Sequence, residues 1–301
     1  MLSTIFVIIA LTALIIGSLT DLDRREVPDW LNYFVLIVAI ASRILESVIN
    51  TTFEPILFGA IGLGIAYAFS AIMYYTGQWG GGDAKMLIAL GALFGSYTPT
   101  IFKPIMSESI LPAFAQGYNV LFVPILIFNI LLVGSIYGLL WMSVLAIKHR
   151  KKFVKTYKKL WVTDKRYMYV SIIAVILIPI GYFIQSYQGL ALMILGLSLM
   201  SFGPAIIFGR AIEKTCMIQK MNVSKLTEGE WIVKDVKHKG ELVCSQKDLG
   251  VTQKQISRLK QLKITSVTVK IGVPFIPAFL GGFIVTIIWG NLIEIMLLSL
   301  F

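Results

Sequence analysis

The chain has 301 residues, 57% of them hydrophobic and 14% charged, with a net charge of +11. Apolar runs of about 18 residues or more recur along it, which excludes a water-soluble globular protein and indicates a polytopic membrane protein. The runs lack strand alternation, so each is read as a helix, the element that satisfies its own backbone in lipid.

The first run, Leu2 to Leu19, has no basic residue before it and no small-residue cleavage site. It therefore reads as a retained helix with its N-terminus outside rather than as a signal peptide. A charged loop follows, Thr20-Asp21-Leu22-Asp23-Arg24-Arg25-Glu26-Val27-Pro28-Asp29, and Pro28 suits the start of the next helix. That helix runs from about Trp30 to Ile49, with tryptophan at its interfacial end. A third spans Pro55 to Tyr75, and Gly59, Gly62 and Gly64 give it a small-residue face for close packing. Then come Gly80-Gly81-Gly82-Asp83-Ala84-Lys85 and a fourth helix to about Tyr97, containing Gly91-x-x-x-Gly95. Thr98 to Tyr118 reads as an external loop, and a fifth helix from Val120 to Ile147 is long enough to tilt.

The second half is organised differently. Residues 148–166 form a lysine-rich stretch expected as a basic cytosolic loop, and residues 167–209 a helix pair joined by a short turn. Residues 210–271 have the composition of a small soluble domain. Within it Glu230 to Val243 shows short strand-like alternation, and Thr252 to Leu262 an amphipathic helix capped by Thr252, with Ile256 and Leu259 on one face. Ser266 to Ile271 alternates like a strand. The last helix starts near Pro274, in a final segment 272–301. The expectation is an all-α polytopic membrane protein of about eight transmembrane helices, with residues 1–147 as its core and a small cytosolic α+β insert before the last helix.

Orientation follows from the positive-inside rule. With the N-terminus outside, every lysine and arginine lies on the cytoplasmic side except Arg43 and Lys103. The net charge is thereby explained by topology rather than by a nucleic-acid partner. The same threading sends Asp21 and Asp83 to the cytoplasmic face.

Those two aspartates carry the chemistry. Ionisable groups at a membrane boundary are costly and are read as functional by default, although each alone also fits a helix cap. Two carboxylates held together share a proton, because like charge and desolvation oppose double ionisation. Such a dyad can deprotonate a water while its protonated member polarises a peptide carbonyl. Metal and cofactor are not called for: Cys216 and Cys244 lack zinc spacing, and His149 and His238 sit in lysine-rich stretches. The glycines do not have phosphate-loop spacing. A Cβ at Gly80 or Gly82 is expected to obstruct a passing chain, with strain added wherever the backbone is left-handed.

Asp21 standing seven residues before Pro28, paired with Gly80-x-Gly82-Asp83-x-Lys85-Met86, resembles the GxGD aspartyl proteases. More narrowly it is similar to the type IV prepilin and preflagellin (prearchaellin) peptidases. The resemblance covers residues 1 to about 145. It implies a catalytic pair of Asp21 and Asp83, with Gly80, Gly82 and Lys85 in the site loop, Lys85 orienting Asp83 or the substrate leader, or else snorkelling to the interface. Asp23 is the nearby control. The implied substrates are pilin-like or archaellin-like precursors whose short basic leader is cut at the cytoplasmic face of the cell membrane. Leu226 to Trp231 and Gly272 to Phe279 resemble, more loosely, a C-terminal extension of some archaeal members, which implies an archaeal source. The cysteine-rich zinc-binding loop of the bacterial enzymes is absent, so the resemblance does not extend to their N-methyltransferase activity. The competing reading is an ion-coupled transporter or channel-like protein using Asp83 in a broken helix. A transporter calls for inverted repeats and acidic residues at the midplane, whereas both aspartates here fall at one face. A third reading is a membrane anchor whose polar domain does the binding; it requires both aspartates to be dispensable.

Overall fold

The computed structural model describes residues 2–95, 122–163, 166–184, 186–290 and 292. The expected external loop from Thr98 to Tyr118, with Lys103, lies outside them. The chain divides into two compact units, residues 1–139 with 272–301, and residues 140–271.

The first unit holds α1 (Leu2–Arg24), α2 (Asp29–Asn50), α3 (Glu54–Tyr75), α4 (Gly81–Phe94), most of α5 (Phe122–Lys148) and α10 (Ile276–Trp289). Of the glycines noted in the sequence, Gly59, Gly62, Gly91 and Gly95 lie where α3 packs on α4, whereas nothing lies within 4 Å of a Cβ on Gly64. A Cβ on Gly62 would strike the Gly91 carbonyl and the Gly95 Cα, and one on Gly91 would strike Ala66 and the Gly62 carbonyl. Such contacts allow two backbones to approach closely where lipid offers no hydrophobic drive. The last helix, sequence-distant from the rest, belongs to the same core. Phe94 of α4 meets Phe283 of α10 at 5.2 Å between ring centroids, and a Cβ on Gly282 would come within 2.6 Å of the Ile130 backbone in α5. A buried amide fixes that pair, because Asn129 donates to the Thr286 hydroxyl at 3.0 Å and to the Gly290 carbonyl at 2.7 Å.

The second unit starts with the end of α5. It continues through α6 (Arg150–Thr163), α7 (Arg166–Phe183), α8 (Tyr187–Ile212) and a π-helical turn at Glu213–Met217. The stretch expected as a basic loop is therefore a helix, α6. Its Phe153, Tyr157 and Leu160 recur at helical spacing and pack against α8. Next come β1 (Ile218–Asn222), β2 (Trp231–Ile232), β3 (Val236–His238), β4 (Glu241–Cys244), α9 (Gln253–Gln261) and β5 (Ser266–Lys270). The antiparallel sheet runs β1-β5-β2, with β3-β4 as a separate hairpin. Thr252 caps α9 reciprocally with Gln255, and Ile256 and Leu259 enter a core with Val267 and Val269. The strand β1 has no counterpart in the sequence reading. Its Ile-Gln-Lys-Met-Asn carries a single β-branched residue, so pairing with β5 rather than propensity makes it a strand.

The molecule is an all-α polytopic membrane protein with a small β-sheet insert before its last helix. Among the described residues five helices are long and apolar enough to cross a membrane, not eight: Thr4–Arg24, Asp29–Asn50, Glu54–Tyr75, Phe122–Lys148 and Gln188–Met217. The other three apolar segments are helical but short. The described α4 and α10 have 14 residues each, which at 1.5 Å per residue is about 21 Å against a hydrocarbon core of about 30 Å. The apolar part of α7 is Ile172–Phe183.

Candidate active site

Asp21 is not in a loop. The helix α1 continues past the apolar run to Arg24, which puts Asp21 in its last turn, 6% exposed. A carboxylate at a helix C-terminus faces unpaired carbonyls and is unfavourable there on its own. The compensation comes from α10. The Ile276 amide donates to Asp21 Oδ2 at 2.9 Å, and the neighbouring Phe275 amide acts on the same carboxylate electrostatically. Both amides belong to the start of a helix, where no intrahelical acceptor exists. Gly17, one turn before Asp21, admits the contact, since a Cβ there would sit 3.3 Å from the Ile276 side chain. Arg25 closes the turn in a left-handed conformation (φ 58°). Its guanidinium donates to the Gly272 carbonyl at 2.6 Å. The end of α1 is thus tied twice to the segment that leads into α10.

Asp83 is held by its own helix. It lies in the first turn of α4, and its Oδ2 accepts the Gly80 amide at 3.0 Å. This is the helix-cap role that either aspartate alone would fit, and it also fixes the side chain toward the start of the helix. The charge of Asp21 acts on Asp83, so the fold brings the two carboxyl groups into electrostatic range. Asp23 does not join them; it is exposed and paired with Arg24 at 3.4 Å.

The glycines act by space rather than by backbone angle. None of Gly80, Gly81 and Gly82 has positive φ; the left-handed glycine of this turn is Gly77 (φ 68°). Only Gly82 is crowded, because a Cβ there would lie 3.0 Å from Val27 Cβ. At Gly80 and Gly81 the nearest atoms are 3.5 and 3.9 Å away, ordinary contact. The expectation of strain at Gly80 and Gly82 is therefore replaced by a close approach at Gly82 alone. Lys85 bonds neither aspartate of the pair. Its ammonium meets Asp29 at 2.6 Å and lies 5.7 Å from the Tyr33 ring centre, so it joins α4 to α2.

Three features escape the sequence. Trp79, just before the glycines, is buried against Phe275 (5.8 Å) and Phe279 (5.1 Å). The first turn of α10 thus supports the Asp83 loop with its rings and Asp21 with its amides. Tyr137 of α5 has a buried hydroxyl within electrostatic range of Asp21 and Arg25. Ser18, three residues before Asp21, is buried with its hydroxyl unpaired among the described residues. The one signal for the first of these was the loose match at Gly272 to Phe279. No group of three or more His, Cys, Asp or Glu residues comes together among the described residues.

Comparison with known proteins gives a consistent result. Residues 8–142 match the model of the Type IV leader peptidase family. The chain is 32% identical over 95 residues to a preflagellin peptidase of Methanococcus maripaludis, covering 32% of this chain and 41% of that protein. It is 30% identical over 123 residues to that of Methanococcus voltae, covering 40% and 48%. For the preflagellin peptidase of Methanocaldococcus jannaschii the figures are 28% over 110 residues, covering 36% and 47%. The chain spans less than half the length of the curated relatives it matches. No solved structure matches.

Proposed function

From the match of residues 8–142 to the Type IV leader peptidase family, we propose that the chain is a membrane-embedded aspartyl endopeptidase of that family. It removes the short basic leader of a type IV pilin-like or archaellin-like precursor. The observation that carries this reading is the approach of Asp21 and Asp83, carboxyl groups from α1 and α4, close enough for the charge of Asp21 to act on Asp83. One member takes a proton from water as the water attacks the scissile carbonyl, and the other donates a proton to the carbonyl oxygen. The Ile276 amide keeps Asp21 oriented through the cycle.

The orientation belongs to the same proposal. The N-terminus lies outside, and the two aspartates sit at the cytoplasmic surface. An apolar substrate helix then stays in the bilayer while its extended leader reaches the dyad. Gly82 and Val27 sit close enough to form one wall of that path. That the relatives are preflagellin peptidases supports an archaellin-like substrate.

The test is co-expression with a panel of pilin-like and archaellin-like precursors, leader removal being scored by gel shift. Processing by the natural chain and by Asp23→Asn, but not by Asp21→Asn or Asp83→Asn, is the expected pattern. A panel left unprocessed by the natural chain, or processed equally by all four, removes the reading.

A further inference from the structure

Helix α6 plays no part in this chemistry, yet six of its 14 residues are cationic: Arg150, Lys151, Lys152, Lys155, Lys158 and Lys159. The helix carries no carboxylate, all six cations are exposed, and none makes an ion pair among the described residues. They are not scattered around it. Phe153, Tyr157 and Leu160 fill the side that packs on Ile207, Phe208 and Ala211 near the end of α8. At 100° per residue, Lys151, Lys155, Lys158 and Lys159 project from the opposite side. Between the two faces lie Val154 and Trp161, apolar and part exposed (39% and 38%).

Position adds to composition. The span α5 ends at Lys148, directly before α6, and its Leu145 and Ala146 pack with Ile212 and Cys216 at the end of the α8 span. Packed against the last turns of α8, α6 sits at the level where both spans leave the hydrocarbon. It is also too short and too charged to cross the membrane itself. A helix with a cationic face and an aromatic and aliphatic flank, held at that depth, has the chemistry of a headgroup-binding element. We propose that α6 is a docking surface for the anionic lipid headgroups of the bilayer, its lysines on the phosphates and Trp161 among the glycerol and upper chains.

The proposal is independent of the dyad and is tested without activity. The full chain is reconstituted in nanodiscs of zwitterionic lipid containing dansyl-labelled phosphatidylglycerol or dansyl-labelled phosphatidylcholine. Energy transfer from tryptophan reports which lipid gathers at the protein. Phosphatidylglycerol is expected to be preferred, and salt to weaken the preference. The four-fold variant with Lys151, Lys155, Lys158 and Lys159 all changed to Gln should lower the preference, each lysine contributing up to about fivefold. Arginine at the same four positions should keep it. Trp161→Phe should remove more of the phosphatidylglycerol-specific transfer than Trp231→Phe does. If the four-fold Gln variant does not insert, Lys158→Gln with Lys159→Gln carries the same comparison. Equal transfer from both lipids, a preference untouched by the Gln changes, or tighter capture of RNA or an acidic protein than of lipid overturns the proposal.

Discussion

Asp21 and Asp83 each meet the amides at the start of a helix, but only Asp83 belongs to the helix whose amide it accepts. Asp83 caps α4 across three residues, through Gly80. Asp21 sits at the wrong end of its own helix and accepts from Ile276, 255 residues away. The first arrangement is local and forms whenever α4 forms. The second exists only when α10 is packed against α1. One carboxylate is thus positioned by secondary structure and the other by tertiary structure, and the first turn of α10 reaches both, through its amides and through Trp79 on Phe275 and Phe279.

The largest effect should come from the carboxylates themselves. Asp21→Asn and Asp83→Asn should each lower leader cleavage by at least about a thousandfold, because groups acting as a unit fail as a unit. Membrane insertion, followed by fractionation, should be unchanged. If one variant keeps most of its activity, the two aspartates do not form a pair and their different supports have no common purpose.

Gly82→Val comes next. Its branched side chain meets Val27, and displacement of the α4 start by about 1 Å should cost about a hundredfold in rate. Gly81→Ala, which meets only Tyr74 at an ordinary 3.9 Å, should be near neutral, and Gly80→Ala should resemble it. Cleavage rate per folded enzyme for the three variants separates a close approach at one glycine from a flexible connector, which would tolerate all three.

Gly17→Val probes the other support. It pushes on Ile276 and so loosens the donors on Asp21, with an expected loss of about tenfold or more by the same misplacement argument. Gly64→Val is the control, since nothing lies within 4 Å of a Cβ there. If Gly17→Val and Gly64→Val cleave alike, α10 does not hold Asp21 in the working enzyme.

The smallest effect is expected at Lys85. Its pair with Asp29 is exposed (side chains 41% and 59%), and such pairs are worth about 0–1 kcal/mol. Lys85→Ala and Asp29→Ala should each cost a few-fold at most, with the exchanged pair Lys85→Asp with Asp29→Lys recovering part of the loss. A loss as large as that of Asp83→Asn would instead mean that Lys85 acts on the dyad or on the leader.

What the chain states by itself is whatever depends on short stretches. The apolar runs are long enough to demand lipid, Gly80 to Lys85 carries an aspartate with its own capping turn, and Asp21 stands at a fixed distance from Pro28. The Thr252 cap of α9 is equally local. The sequence could not show that α1 runs on to Arg24 or that residues 150–163 are helical. Both depend on packing, of α1 on α10 and of Phe153, Tyr157 and Leu160 on α8. Nor could it tell which glycine is crowded, since Gly82 is distinguished from Gly80 only by Val27, brought near by the turn from α1 to α2. The support of Asp21 was the least legible of all. A backbone amide looks the same in every residue, so no spacing marks Ile276 as the donor. Only the fold, by laying the start of α10 against the end of α1, gives that amide a carboxylate to hold.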